Sequence, residues 1–306
     1  MSLKPHISVL EEEMVSFFAG KKLRVFVDGT LGAGGHSKRI LQEHPEIEWL
    51  IGCDQDPRAL EIAKETLLPW KDKVRLVHTN FEKIDQVLKQ MNIQQVDGFF
   101  FDIGVSSMQL EEENKGFSFL KEGPLDMRMD PTAFLSAEHI VNQWSEQDLG
   151  RIFREYGEEP RWKIAAKAIV QIRKKNPIRT TKQLVDAILT VCRSKIHGKL
   201  HPATLIFQAL RICVNRELDV LKETIAKAIP LLAPGGRIGV ISFHSLEDRI
   251  VKTLFKQATT PIREGKERLA PWMTLLTKKP IVPSLAEIRL NPRSRSAKMR
   301  FAEKKG

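Results

Sequence analysis

Little in this 306-residue chain would staple, anchor or address it. Three cysteines, Cys53, Cys192 and Cys213, are an odd number without paired spacing. They argue against a disulfide framework and a zinc cluster, and for a reducing compartment, the cytoplasm. No apolar run approaches the length of a membrane span, so no membrane partner is expected. The first residues, Met1 to His6, lack the apolar core of a signal peptide. No internal repeat or low-complexity tract interrupts the chain. A dinucleotide fingerprint is also incomplete: counting from Gly32 and Gly34, its third glycine would fall at 37, where the chain has Ser37.

Hydrophobic residues make up 42% of the chain, enough to build one large domain or two moderate ones. The net charge of +11 is unevenly spread. Residues 1–113 hold 13 Lys/Arg against 19 Asp/Glu, whereas residues 151–200 hold 13 against 4 and residues 289–306 hold 7 against 1. A mildly acidic part joined to basic segments fits a cofactor unit coupled to a grip on a polyanion, which favours nucleic acid. A solvated helical surface is the bland reading of the same lysines.

Strand and helix alternate along the first hundred residues. Short apolar runs at 24–28, 49–53, 74–78 and 97–101 read as strands buried on both faces. Helical patterns near 37–44, 57–68 and 82–91 separate them, the second opened by Asp56-Pro57. Single helices between buried strands predict a parallel sheet with right-handed crossovers. From about 114 the pattern turns helical, and a long helical stretch is expected from about 203 to 232. Arg237 to His244 reads as another strand, followed by a helix at 245–257, a surface connection over 258–295 and a C-terminal strand around 297–302. The simplest account is a helical domain, 114–210, inserted into a sheet domain made of 1–113 and 211–306.

The richest segment is Arg24-Val-Phe-Val-Asp-Gly-Thr-Leu-Gly-Ala-Gly-Gly-His36, a buried strand ending in a carboxylate, then a glycine turn, then a helix start. Trp49-Leu-Ile-Gly-Cys ends likewise in Asp54, and Phe99-Phe-Phe in Asp102. The carboxyl ends of parallel strands are where such a sheet binds a nucleoside. Asp28 stands directly before the turn, where it would repel a diphosphate but suit a cationic ligand. S-adenosyl-L-methionine carries an ammonium and a sulfonium, and its ribose hydroxyls could donate to Asp54. These residues favour that donor over a dinucleotide. Asp102 would face the reacting end, or merely cap its turn. Phe81 could lie against adenine or pack into the core. His36 could meet the methionine carboxylate or cap its helix, and no metal partners accompany it.

Further words in the chain carry a resemblance. Asp28-Gly-Thr-Leu-Gly-Ala-Gly-Gly-His36, Asp102-Ile-Gly-Val-Ser-Ser107 and Gly123-Pro-Leu-Asp-Met-Arg-Met-Asp130 resemble the ribosomal RNA small subunit methyltransferase H (RsmH or MraW) family. So do Gly116-Phe-Ser-Phe119, Tyr156-Gly-Glu-Glu159, His201-Pro-Ala-Thr204, Phe207-Gln-Ala-Leu-Arg211, Ser242-Phe-His-Ser-Leu-Glu-Asp-Arg249 and Asn291-Pro-Arg-Ser-Arg-Ser296. The likeness runs from about His6 to Ala302. It implies an α/β fold of the class I S-adenosylmethionine-dependent methyltransferases, a Rossmann-like, mostly parallel seven-stranded sheet with an inserted all-helical domain. It implies N4-methylation of one cytidine in the decoding centre (P site) of 16S rRNA, in the small ribosomal subunit, by a monomer or homodimer. It places S-adenosyl-L-methionine on Gly34, Gly35, His36, Asp54, Phe81, Asp102 and Gln109. Three positions depart from the usual pattern: Ser8 and Met108, where proline is frequent, and Leu205, where an arginine often follows.

Amine methylation needs an acceptor for the N4 proton, and Asp102 is the candidate catalytic residue. No covalent cysteine step is expected. The basic helices suggest Arg161, Lys163, Lys167, Arg173, Lys174 and Lys175 as the RNA grip, with Arg293, Ser294 and Arg295 as a second contact. A small-molecule methyltransferase, a dehydrogenase and a non-enzymatic RNA-binding protein are the competing readings.

Overall fold

The structure is a computed structural model and describes residues 8–104, 115–191, 201–264 and 267–306. The chain divides into two compact units, Met1–Gly104 with Leu218–Gly306, and Val105–Glu217.

The first unit is built on a sheet. Strands β1 (Val25–Asp28), β2 (Trp49–Asp54), β3 (Val74–His78), β4 (Val96–Asp102) and β5 (Leu232–Ser242) are parallel. After the hairpin β6 (Ile262–Glu264) and β7 (Glu267–Leu269), β8 (Met273–Leu275) and β9 (Lys298–Lys304) complete the sheet in the order β3-β2-β1-β4-β5-β9-β8. β9 runs against both of its neighbours. Alternation along each strand feeds two apolar layers, one on each face. Val27, Ile51, Phe99, Phe101 and Val240 pack with α4 (Ile84–Gln90), α10 (Glu217–Leu231) and α11 (Ser245–Ala258). Phe26, Leu50, Phe100, Ile241 and Phe301 pack with α1 (Glu11–Phe18), α2 (Gly35–Glu43) and α3 (Pro57–Thr66). Phe99, Phe100 and Phe101 are fully buried; truncating any of them would cost about 3–5 kcal/mol. That rigidity holds the strand ends still.

The second unit is helical: α5 (Ala137–Gln143), α6 (Glu146–Glu155), α7 (Trp162–Arg173), α8 (Thr181–Leu189) and α9 (Thr204–Asn215). Ser136, Ser145 and Thr180 cap α5, α6 and α8 by accepting from backbone amides two or three residues into each helix. Leu125, Ile140, Phe153, Ile169, Leu184, Ile206 and Leu210 are among the residues of its own core.

Three expectations change. The helix expected over 203–232 breaks at Arg216, which takes a left-handed φ of 51° and separates α9 from α10. The stretch 258–295 is not only a connection, because it contains the edge strand β8, the hairpin and a short helix, α12 (Leu285–Leu290). The units divide at 104/105 and 217/218 rather than at 113/114 and 210/211, since Ile206, Leu210 and Val214 of the single helix α9 all belong to the helical core.

Candidate active site

The turn after β1 is held by two carboxylates. Asp28 is 1% exposed; it accepts from Ser37 Oγ at 2.7 Å and from Thr30 N at 3.2 Å. Ser37 therefore uses the place a dinucleotide turn gives to glycine to brace this carboxylate. Asp54 accepts from Gly32 N at 2.8 Å and from Asp56 N at 2.9 Å. Gly32 and Gly34 have φ of 54° and 82°, the left-handed conformation that favours glycine. A side chain at Gly35 would run into Ser8 Oγ, so the departure at Ser8 leaves the turn without room for a larger residue.

Asp102 closes β4, and its amide donates to Thr30 Oγ1 at 2.6 Å, tying the strand end to the turn. Its side chain is 20% exposed, and Oδ2 lies 3.8 Å from His36 Nδ1. Oδ1 is buried and has no hydrogen-bond partner among the described residues. The other nitrogen of His36 lies 2.9 Å from Val9 O, and the ring meets Phe100 edge-on at 4.8 Å. His36 is therefore not a helix cap: Gly34 occupies that position.

Burial pushes Asp102 well above the usual carboxylate range, and the negative charges of Asp28 and Glu247 add to the effect. Burial likewise pushes Asp28 up to about 6, against the bonds from Ser37 and Thr30 and with Asp54 adding. Asp54 moves the same way by burial, opposed by the amides of Asp56 and Gly32. All three carboxylates at the rim thus hold protons more tightly than an ordinary carboxylate, and of them only Asp102 has an oxygen with no partner among the described residues. Cys53, one residue before Asp54, is pushed up to about 12 by burial, with the charges of Asp28 and Asp54 adding, so its thiol stays neutral.

His244 and Glu247 carry a role that the sequence alone does not show. Glu247 is completely buried and accepts from Phe243 N at 2.7 Å; its Oε1 lies 3.0 Å from His244 Nε2. Together they form a capping box at the start of α11. The signal was there, a glutamate three residues after a polar N-cap, but burial beside Asp102 is a tertiary fact. Phe81 is half-buried, with its ring 5.9 Å from Phe101. Gln109 and Met108 lie outside the described residues.

The basic candidates divide. Arg161, Lys163, Lys167, Lys174 and Lys175 are exposed, and Lys163, Lys167 and Lys174 share one face of α7 and its end. Arg173 does something else: its guanidinium donates to Val141 O and Trp144 O, both at 2.6 Å, joining α7 to the end of α5. Burial lowers its proton affinity. In the sheet unit Arg293 and Arg295 are exposed, but Ser294 is fully buried and donates to Asn291 O. It is a turn residue, not an RNA contact.

Five parallel strands, one reversed strand between β5 and β8, and carboxylates closing β1, β2 and β4 around a glycine turn define a class I methyltransferase. The chain belongs to the MraW methylase family, whose model matches residues 3–305. It is 52% identical over 307 residues to the ribosomal RNA small subunit methyltransferase H of Protochlamydia amoebophila, covering 98% of this chain and 97% of that one. It is 48% identical to the protein of that name from Chlamydia trachomatis, covering 98% and 97%. The Caldicellulosiruptor bescii protein of the same name is 47% identical, covering 98% and 99%. Among solved structures, an rRNA methylase from Streptococcus thermophilus is similar with a TM-score of 0.45 and 10% identity, covering 100% of this chain and 99% of that one. The N-methyltransferase NodS of Bradyrhizobium japonicum, in complex with S-adenosyl-L-homocysteine, has a TM-score of 0.42 and 7% identity, covering 96% and 85%. Neither structural likeness adds weight to the family assignment.

Proposed function

We propose that this protein uses S-adenosyl-L-methionine to methylate the RNA of the small ribosomal subunit, at the N4 amine of one cytidine in the decoding centre of 16S rRNA. The relatives' shared name supports the RNA, and the resemblance of the motifs supports the base. The observation that carries the chemistry is the buried Oδ1 of Asp102 at the edge of the sheet, without a partner among the described residues, which calls for a donor from a ligand.

The donor's group fits the residues. When bound, it supplies an activated methyl and positive charge. Asp28, Asp54 and Asp102 offer that charge an acidic setting, and among the described residues no lysine or arginine is ion-paired with any of them. The positive-φ turn lets backbone come close, Asp54 retains lone pairs for ribose hydroxyls, and the half-exposed Phe81 offers a ring face to adenine. Gly34 and His36 complete the set, with Gln109 carried by the resemblance alone.

The N4 lone pair of cytosine is delocalised into its ring, so the amine is a weak nucleophile. Asp102 accepts from N4–H, localises that pair and takes the developing positive charge. Burial raises its affinity for a proton, which suits a group that must receive one. The target base must be unpaired to reach it. The exposed cations of the helical unit, with Arg293 and Arg295, hold the RNA backbone. We place the protein in the cytoplasm with its substrate; among the described residues no helix is long and apolar enough to cross a membrane.

The test is mass mapping of modified nucleosides in small-subunit rRNA from cells with and without this gene. Loss of one N4-methylcytidine is expected. An unchanged cytidine with a different missing methyl would leave a methyltransferase but overturn the proposed base.

A further inference from the structure

The helical unit carries a groove whose chemistry the methyl-transfer rim does not use. Its lining includes Ser136, Glu138, His139, Asn142, Gln143 and Arg179, and it is an open depression with a volume of about 450 Å³. Beside it stands Phe134, 85% exposed, its ring edge-on to His139 at 5.4 Å. An exposed phenylalanine alone says little. Here it flanks a groove in which donors and acceptors converge.

The groove is also built rather than incidental. Asn142 Nδ2 donates to Ile178 O at 2.8 Å and its Oδ1 accepts from Ile178 N at 2.9 Å. Arg179 is fixed on both sides, its carbonyl accepting from Leu125 N at 2.9 Å and its amide donating to Gln183 Oε1 at 2.7 Å. Arg173 braces the floor through Val141 O and Trp144 O. With the backbone pinned on both walls, a ligand would order little on binding. The Arg179 guanidinium is exposed and makes no ion pair among the described residues, and Lys174 and Lys175 lie just before it in the chain.

We propose that this groove binds an unpaired nucleobase of the RNA substrate, stacked on Phe134 and fixed by Arg179. The inference rests on the reading of the substrate as RNA and adds where a second nucleotide, away from the methylated one, is read. A stacking ring accepts any base, because every base has a π face. Arg179 suits the adjoining phosphate, while Glu138 can accept from an exocyclic amine and Gln143 can donate or accept at a base edge. A base paired in an A-form helix presents none of these faces, so the site selects single-stranded RNA.

The experiment uses the full-length chain with Phe134→Ala, Phe134→Trp and Arg179→Ala. KM for small-subunit rRNA is expected to rise about tenfold with Phe134→Ala, the order for one lost stacked base. Arg179→Ala should raise it less. kcat and donor affinity should stay unchanged, and Phe134→Trp should restore KM. The new indole should be quenched by a single-stranded oligoribonucleotide and not by a duplex. If Phe134→Ala leaves KM unchanged, or the indole ignores single-stranded RNA, the groove serves something else, such as a protein partner. If quenching is seen but the wild type methylates no rRNA, the groove stands and the proposed reaction fails.

Discussion

In the sheet unit the carboxylates of Asp28 and Glu247 are closed off from water, and one oxygen of Asp102 is buried without a partner among the described residues. In the helical unit Lys163, Lys167, Lys174 and Lys175 stand in solvent. These carboxylates are concealed, whereas these lysines are displayed. Concealed charge is costly and strongly felt at short range, which suits a small cationic ligand and a proton acceptor. Displayed charge is cheap, screened by salt and felt broadly, which suits a phosphate backbone. Chemistry and grip are therefore separable, and substitutions in the two units should fail in different ways.

The largest effect belongs to Asp102. Asp102→Ala should lower turnover by about 10³-fold or more, the scale of losing a principal charge-stabilising group, while RNA affinity is unchanged. Asp102→Asn keeps the shape but not the charge. If it retained full activity at saturating donor, Asp102 would hold the cofactor rather than receive the proton.

Asp28 sharpens the claim about concealed charge. Its folded pKa of about 6 lies above the ordinary 3.8, so between those values the folded state holds more protons than the unfolded one. Stability should fall as pH rises through that window and then level off, with a cost of up to about 3 kcal/mol at neutral pH. Asp28→Asn can still accept from Thr30 N through its one oxygen, while its NH2 donates to Ser37 Oγ in place of the bond that Ser37 now gives. Denaturant melts at pH 4 and pH 8 should show the variant gaining on the wild type at the higher pH, while its donor affinity falls. No gain at pH 8 would mean that Asp28 is not held against its charge.

Asp54→Ala should weaken donor binding by about ten- to a hundredfold, the range for hydrogen bonds to a charged group. Calorimetry would measure it, and kcat at saturating donor should largely survive. The smallest effect lies on the other side of the comparison. Replacing Lys163, Lys167, Lys174 and Lys175 with glutamine should reduce the slope of log affinity for single-stranded RNA against log salt by up to about 3, at roughly 0.7 per phosphate contact. An unchanged slope would remove α7 from the grip.

What was legible followed from locality. Strands buried on both faces write themselves as apolar runs, so β1 to β5 and the carboxylates that close β1, β2 and β4 could be read directly. β8 could not, because three residues carry no period. Nor could the break at Arg216, where no glycine or proline marks the left-handed turn. Arg173 reads as one more cation in a basic run, and only its two carbonyl partners reveal a brace. The groove escapes the sequence altogether, since Phe134, His139 and Arg179 are joined by packing and by no motif.

The rim's hold on the methyl donor is tested most directly by a crystal structure of the chain with S-adenosyl-L-methionine bound. The donor should lie over the turn at residues 32–36, with its ribose on Asp54 and its methyl end towards Asp102, whose Oδ1 stays open for the target amine. Density for it elsewhere, or a donor group bonded to that oxygen, would contradict the account.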